Sequence, residues 1–167
     1  FSGHWAGSDS LWMQSLGLNA ATLAAATALR AQIATINGGI GDDRLFASAT
    51  SDSVVNGGTG NDSIDGGKYF THQLNGGSGD DTYFIRSQTA TVVEAANGGL
   101  DTVRTFVDYT LTSEVENLRL ETGGLTGVGN ALGNLIIGSG GDDMIYGMGG
   151  NDNIQGRDGN DEIWGGT

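Results

Sequence analysis

Large apolar residues return at different spacings along this chain, and each spacing predicts a different element. Over residues 37–84 they are Leu45, Val54, Ile64, Leu74 and Tyr83; over 129–167 they are Ile136, Ile145, Ile154 and Ile163. A nine-residue interval matches neither the helical nor the strand period. It fits a short strand that sends one side chain inward, followed by a turn. Two such units close one coil, so loops on one side recur about every 18 residues and stacked strands lie ~4.8 Å apart. One unit cannot bury its apolar residue, but a stack can. Residues 8–36 differ. Leu18, Thr22, Ala25, Leu29, Ile33 and Ile36 recur at helical spacing, with Asn19 as N-cap and Asn37-Gly38 as the stop. The helix predicted over 18–36 covers the open first coil and its exposed edge. Trp5 and Trp12 anchor this cap or pack on an upstream domain. Residues 85–128 alternate in Thr91–Val93, Asp101–Val107 and Val115–Glu121, with turns at Asn97-Gly98-Gly99 and Thr122-Gly123-Gly124. They read as a β-rich spacer that continues the solenoid with wider coils and no ions. The alternative is a separate β-hairpin subdomain.

The segments between the apolar positions repeat as well. Gly38-Gly39-Ile40-Gly41-Asp42-Asp43-Arg44-Leu45-Phe46 returns from Gly57 to Asp65, from Gly76 to Phe84, and in the second block from Gly138, Gly147 and Gly156. The form is G-G-x-G-x-D-x-U-x, with U large and apolar. Weaker copies run from Ala47 to Val55, Gly66 to Asn75 and Gly129 to Ile137. Asn134, Asp143, Asp152 and Asp161 keep a strict interval of nine, whereas Asp43, Asp52, Asp62 and Asp81 imply two one-residue insertions. Glycine suits turn positions that need φ > 0.

Composition sharpens this picture. The chain has 167 residues, Gly 31, Pro 0, Cys 0 and a formal net charge of −13. Glycine, acid and modest apolar content alone would describe a disordered linker; the strict spacing of glycine and aspartate argues otherwise. The charge opposes a nucleic-acid partner. The absence of thiols excludes disulfides and cysteine-ligated zinc. No run of ~20 apolar residues suggests a transmembrane segment. Stacking places Asp43, Asp62 and Asp81 along one edge, and Asp143 and Asp161 along another. Two carboxylates ~5 Å apart repel by ~3 kcal/mol at an effective dielectric of ~20, so the fold calls for a cation between coils. Carboxylates and turn carbonyls make an all-oxygen cage, which suits Ca²⁺ better than zinc, copper or magnesium.

The six good copies resemble the RTX (repeats-in-toxin) haemolysin-type calcium-binding repeat, over residues 37–84 and 129–167. The resemblance implies an all-β fold, a right-handed parallel β-roll or β-solenoid, here with a short N-terminal helical cap. The expected organisation is a capping segment 1–36, a first block 37–84, a spacer 85–128 and a second block 129–167. It also implies several Ca²⁺ ions, each between loops one coil apart. The first ion would take Gly39, Gly41 and Asp43 with Gly57, Thr59 and Asp62. The next would take Gly58, Gly60 and Asp62 with Gly76, Ser78 and Asp81. A third would take Ser139, Gly141 and Asp143 with Gly156, Asp158 and Asp161. Leu132 and Asn134 facing Gly147, Gly149 and Asp152 make a weaker one. Only the aspartates and Asn134 would act through side chains.

Catalytic patterns are weak beside the repeat. His4 and His72 are the only histidines, and His72 reads as a surface or loop residue. Gly76-Gly77-Ser78-Gly79 lacks the nucleophile-elbow spacing, and Gly66-Gly67-Lys68-Tyr69 lacks the Ser or Thr that follows Lys in a phosphate loop. Asn151 to Glu162 mimics an EF-hand loop but has no flanking helices. The expectation is therefore a non-enzymatic module. By resemblance it leaves a Gram-negative bacterium through type I secretion, folds on Ca²⁺ outside, and serves as scaffold or assembly unit of a surface, adhesin-type or S-layer protein. Self-assembly or a cell-surface partner follows from that role. The alternative is the folding tail of a secreted hydrolase or toxin. Phe1 opens on a polar stretch and Thr167 follows a good repeat directly, so a longer parent protein is expected.

Overall fold

Strand pairing is parallel throughout residues 33–167, the part of the chain that a computed structural model describes. Short strands alternate between two sides of a continuous coil. One side is a seven-stranded sheet of β2 (Arg44–Phe46), β4 (Ser63–Asp65), β6 (Thr82–Ile85), β8 (Thr102–Thr105), β10 (Asn117–Leu120), β12 (Leu135–Ile137) and β14 (Asn153–Gln155) in sequential order. The remaining strands form two four-stranded sheets. The first holds β1 (Ala34–Ile40), β3 (Ser53–Thr59), β5 (His72–Ser78) and β7 (Ala90–Val93). The second holds β9 (Tyr109–Thr110), β11 (Thr126–Val128), β13 (Met144–Tyr146) and β15 (Glu162–Trp164). This is a parallel β-solenoid of about seven turns.

The spacing argument explains the core. Ile64, Tyr83, Val103, Leu118 and Ile136 each occupy the inward position of a short strand in the seven-stranded sheet and are buried. Val55, Leu74, Val92 and Ile145 do the same on the opposing side. Fully burying one such side chain contributes about 1.5–3 kcal/mol, so no single coil is stable but the stack is. At the last coil Ile163 stays in register with Ile145 yet is 46% exposed, because β15 ends its sheet. Tyr146 and Trp164 stack outside it, ring centroids 4.5 Å apart.

Several expectations change. The inward residue of β3 is Val55, not Val54, since an inserted residue shifts the register by one and flips the alternation. Ala34–Ile36, expected to end the helix, begin β1, where Ile36 pairs with Val55. Residues 18–32 of that expected helix, like Trp5 and Trp12, lie outside the described residues. His72 is buried rather than at the surface. Its Nε2 donates to the Tyr69 carbonyl at 2.7 Å, and its Nδ1 lies 2.8 Å from the Ser53 hydroxyl, its register partner. The imidazole thus fills an inward position with both nitrogens satisfied. Residues 85–128 do continue the coil, but not uniformly wider. The first step spans 20 residues, between Asp81 and Asp101, and the next spans 15, between Asp101 and Glu116. The first block has 19-residue coils and the second 18-residue coils.

Candidate metal centre

Regular coiling turns the aspartates of the repeat into a column. The Asp43 amide donates to Asp62 Oδ1 at 2.8 Å, the Asp62 amide to Asp81 Oδ1 at 2.7 Å, and the Asp81 amide to Asp101 Oδ1 at 2.9 Å. The Asp101 amide continues to Glu116 Oε2, and further along Asn134 donates to Asp152 Oδ1 at 2.9 Å. The opposite edge carries a shorter column. There Leu125 donates to Asp143 Oδ1 and Asp143 to Asp161 Oδ1. Each carboxylate thus spends one oxygen tying its coil to the preceding one.

The second oxygen is the informative one. Oδ2 of Asp43, Asp62, Asp81, Asp101 and Asp152 is buried with no hydrogen-bond partner. Burying an unpaired carboxylate oxygen is costly unless something positive neutralises it. Around Asp43, Asp62 and Asp152 the neighbouring glycines show where these oxygens lie. A Cβ on Gly57 would strike both Asp62 Oδ2 and, at 2.6 Å, the carbonyl oxygen of Gly76 in the next loop. Gly38 faces Asp43 Oδ2 and the Gly57 carbonyl in the same way, each 2.6 Å from the Cβ position. Gly147 faces Asp152 Oδ2 and the Gly165 carbonyl. Above each of these glycines a carboxylate oxygen from one loop and a carbonyl oxygen from the next share one small space. Such oxygen-only cradles fit Ca²⁺.

Other residues of the expected ligand sets fall as follows. The carbonyls of Gly39 and Gly41 face Gly58 and Gly60 of the next loop, and those of Gly58 and Gly60 face Gly77 and Gly79. This close approach is why Gly58 and Gly60, with φ of 121° and 114°, carry no side chain. The Thr59 and Ser78 carbonyls accept from the Gly41 and Gly60 amides at 2.7 and 2.8 Å, leaving each one lone pair. In the second block the arrangement is less open. Asp143 Oδ2 already accepts from the Ser139 amide and hydroxyl, both at 2.7 Å. The Asn134 side chain is engaged with Asn130, Val115 and Glu116. The Leu132 carbonyl faces Gly150, the Gly149 amide donates to the Asn130 carbonyl, and the Gly156 carbonyl faces Gly138. Gly141 lies against Gly123, and Asp158 is exposed.

Sequence reasoning missed two acidic residues. Asp81, Glu94 and Asp101 bring one carboxylate oxygen each within 4.8 Å of the others. The Tyr83 hydroxyl donates to Glu94 Oε1, while Glu94 Oε2 is buried without a partner. Burial pushes the Asp81 carboxyl up to about 6 and the Asp101 carboxyl up to about 7, with neighbouring carboxylates adding to the rise. Burial also raises Glu94 and the Tyr83 phenol. The interval from Asp81 to Asp101 was the available signal for Asp101. Glu94 lies in no recognisable copy of the motif.

Comparison with known proteins places the motif. The RTX calcium-binding nonapeptide repeat matches in four copies, at residues 35–54, 50–68, 73–84 and 128–167, together just over half of the chain. No curated protein and no solved structure matches. Repeat, coil and oxygen-lined cradle agree, and the chain belongs to the RTX calcium-binding nonapeptide repeat family.

Proposed function

We propose that this chain is an extracellular module whose folding is driven by Ca²⁺, and that it serves as scaffold or assembly unit of a bacterial surface protein rather than as a catalyst. The observation that carries the folding half is the column of buried, unpartnered Oδ2 atoms on Asp43, Asp62, Asp81 and Asp101. Each faces another carboxylate about one strand spacing away, where repulsion is ~3 kcal/mol per neighbouring pair at an effective dielectric of ~20. An ion in each cradle reverses the sign of that contribution, so binding and folding become one equilibrium. The ligands would be those named from the repeat, with Asp43, Asp62 and Asp81 contributing side chains and the glycine-loop carbonyls the remainder. Calcium-poor cytosol would then keep the chain open for export through a type I channel, and calcium outside would close it.

Assembly is the other half. Limited proteolysis with and without Ca²⁺ tests folding: protection of residues 34–167 only with the ion supports it, and equal cleavage contradicts it. Light scattering on calcium addition tests assembly. Ordered growth supports the scaffold role, and a stable monomer opposes it.

A further inference from the structure

Glu94 occupies a place where the repeat has only glycine. Asn75 pairs with Val93 in adjacent strands, so Glu94 follows Val93 as Gly76 follows Asn75. The chain then bulges through Ala95–Asn97, with Asn97 at a φ of 62°, and rejoins the stack. The Gly79 amide donates to the Gly98 carbonyl and the Leu100 amide to Asp80 Oδ1, both at 2.8 Å. Residues 94–101 therefore form a fourth loop of the same column, although they lie outside every matched copy of the repeat.

We propose that Asp81, Glu94 and Asp101 form a further site for a hard divalent cation, clamping the first repeat block to the coil that follows it. Calcium as the ion rests on the reading given above; the site itself rests on this cluster. Asp81 and Asp101 are each only 1% exposed, and each has its Oδ2 buried without a partner. Glu94 Oε2 is in the same condition. The ion pairs recorded among the described residues use Asp65 and Glu121, so no cationic side chain is paired with these three. Two oxygens on one Ca²⁺, at 2.3–2.6 Å each, lie at most about 5 Å apart. The 4.8 Å limit on the three carboxylate oxygens meets that condition. The Tyr83 hydroxyl holds Glu94 Oε1, and backbone amides of the preceding coil, Asp62 and Asp81, hold Asp81 Oδ1 and Asp101 Oδ1. The free oxygens are therefore preorganised. The all-oxygen donor set excludes a preference for soft metals. Three carboxylates exceed the two that a pair of repeat loops offers, and affinity of calcium sites rises with ligand charge. This site fills first.

Equilibrium dialysis of the full chain against Ca²⁺, with bound metal counted by atomic absorption, tests it. Glu94→Gln keeps the acceptor for Tyr83 and should hold one ion fewer at saturation, with the tightest step weakened at least tenfold. An unchanged count and an unchanged first step overturn the site and leave the repeat ions standing. A wild-type chain that binds no calcium overturns the calcium reading itself. Terbium luminescence, excited through aromatic side chains, gives a second readout. Tyr83→Phe should lose the emission that appears at the lowest terbium addition, and retention of that emission contradicts the proposal.

Discussion

Replacing Gly57 by alanine separates the role of the cradle from that of the backbone. Gly57 is not among the left-handed glycines, so its backbone tolerates a side chain. The obstacle is the space itself. The new methyl would stand 2.6 Å from the Gly76 carbonyl oxygen and against Asp62 Oδ2. An ordinary C···O contact is about 3.3 Å or longer, so each oxygen must retreat by about 0.7 Å or more. The neighbouring inter-coil bonds, Gly60 amide to Ser78 carbonyl and Thr82 amide to Asp62 carbonyl, are both 2.8 Å. Such a retreat would stretch them to about 3.5 Å, past a useful hydrogen bond. Overpacking costs about 1–3 kcal/mol and a lost bond about 1, giving about 2–4 kcal/mol in all. Gly67→Ala is the control, since Gly67 belongs to none of the ligand sets. It has a φ of 67° and open space around the added methyl, so it pays only backbone strain of about 1–2 kcal/mol. Both variants lower the denaturation midpoint in saturating calcium. Only Gly57→Ala should also bind one ion fewer by equilibrium dialysis. Equal ion counts in the two variants would refute the cradle.

Further outcomes follow from the same column. Asp62→Ala should weaken calcium binding more than Asp43→Ala in a calorimetric titration, because the repeat pattern assigns Asp62 to two ion sites and its Oδ1 also holds the Asp43 amide. Equal losses would remove its shared role. In chelator, β signal should be larger at pH 5 than at pH 7.5. Burial raises Asp81 to about 6 and Asp101 to about 7, so the folded chain binds more protons than the unfolded one, and this stability is lost as pH rises through those values. Calcium affinity should move the opposite way over that range, since protons must leave first. Circular dichroism that grows with pH in chelator would contradict this. Ser53→Ala leaves buried His72 Nδ1 without its partner and should cost about 1–3 kcal/mol in urea denaturation, whereas a surface histidine would show no change.

The fold was legible wherever the nonapeptide is intact. Ile64, Tyr83, Ile136 and Ile145 stand inward as their spacing requires. Legibility failed where insertions intervene, because one added residue in a strand exchanges its two faces. Val55 replaced Val54 for this reason, and His72 moved inward beside Ser53. The helical spacing before Asn37 misread Ala34–Ile36, whose pairing with the next coil outweighs local periodicity. In the aspartate column, the stacking of Asp43, Asp62 and Asp81 follows from the repeat spacing. Glu94 could not be placed from it, since only the stacking of a degenerate loop brings it to Asp81 and Asp101.

Circular dichroism of the chain in excess chelator and then in millimolar Ca²⁺ tests the coupling of ion binding to folding most directly. The column of unneutralised carboxylates predicts little β signal over residues 34–167 at pH 7.5 in chelator, and strong β signal once calcium is added. The same full β signal in both conditions would contradict the account.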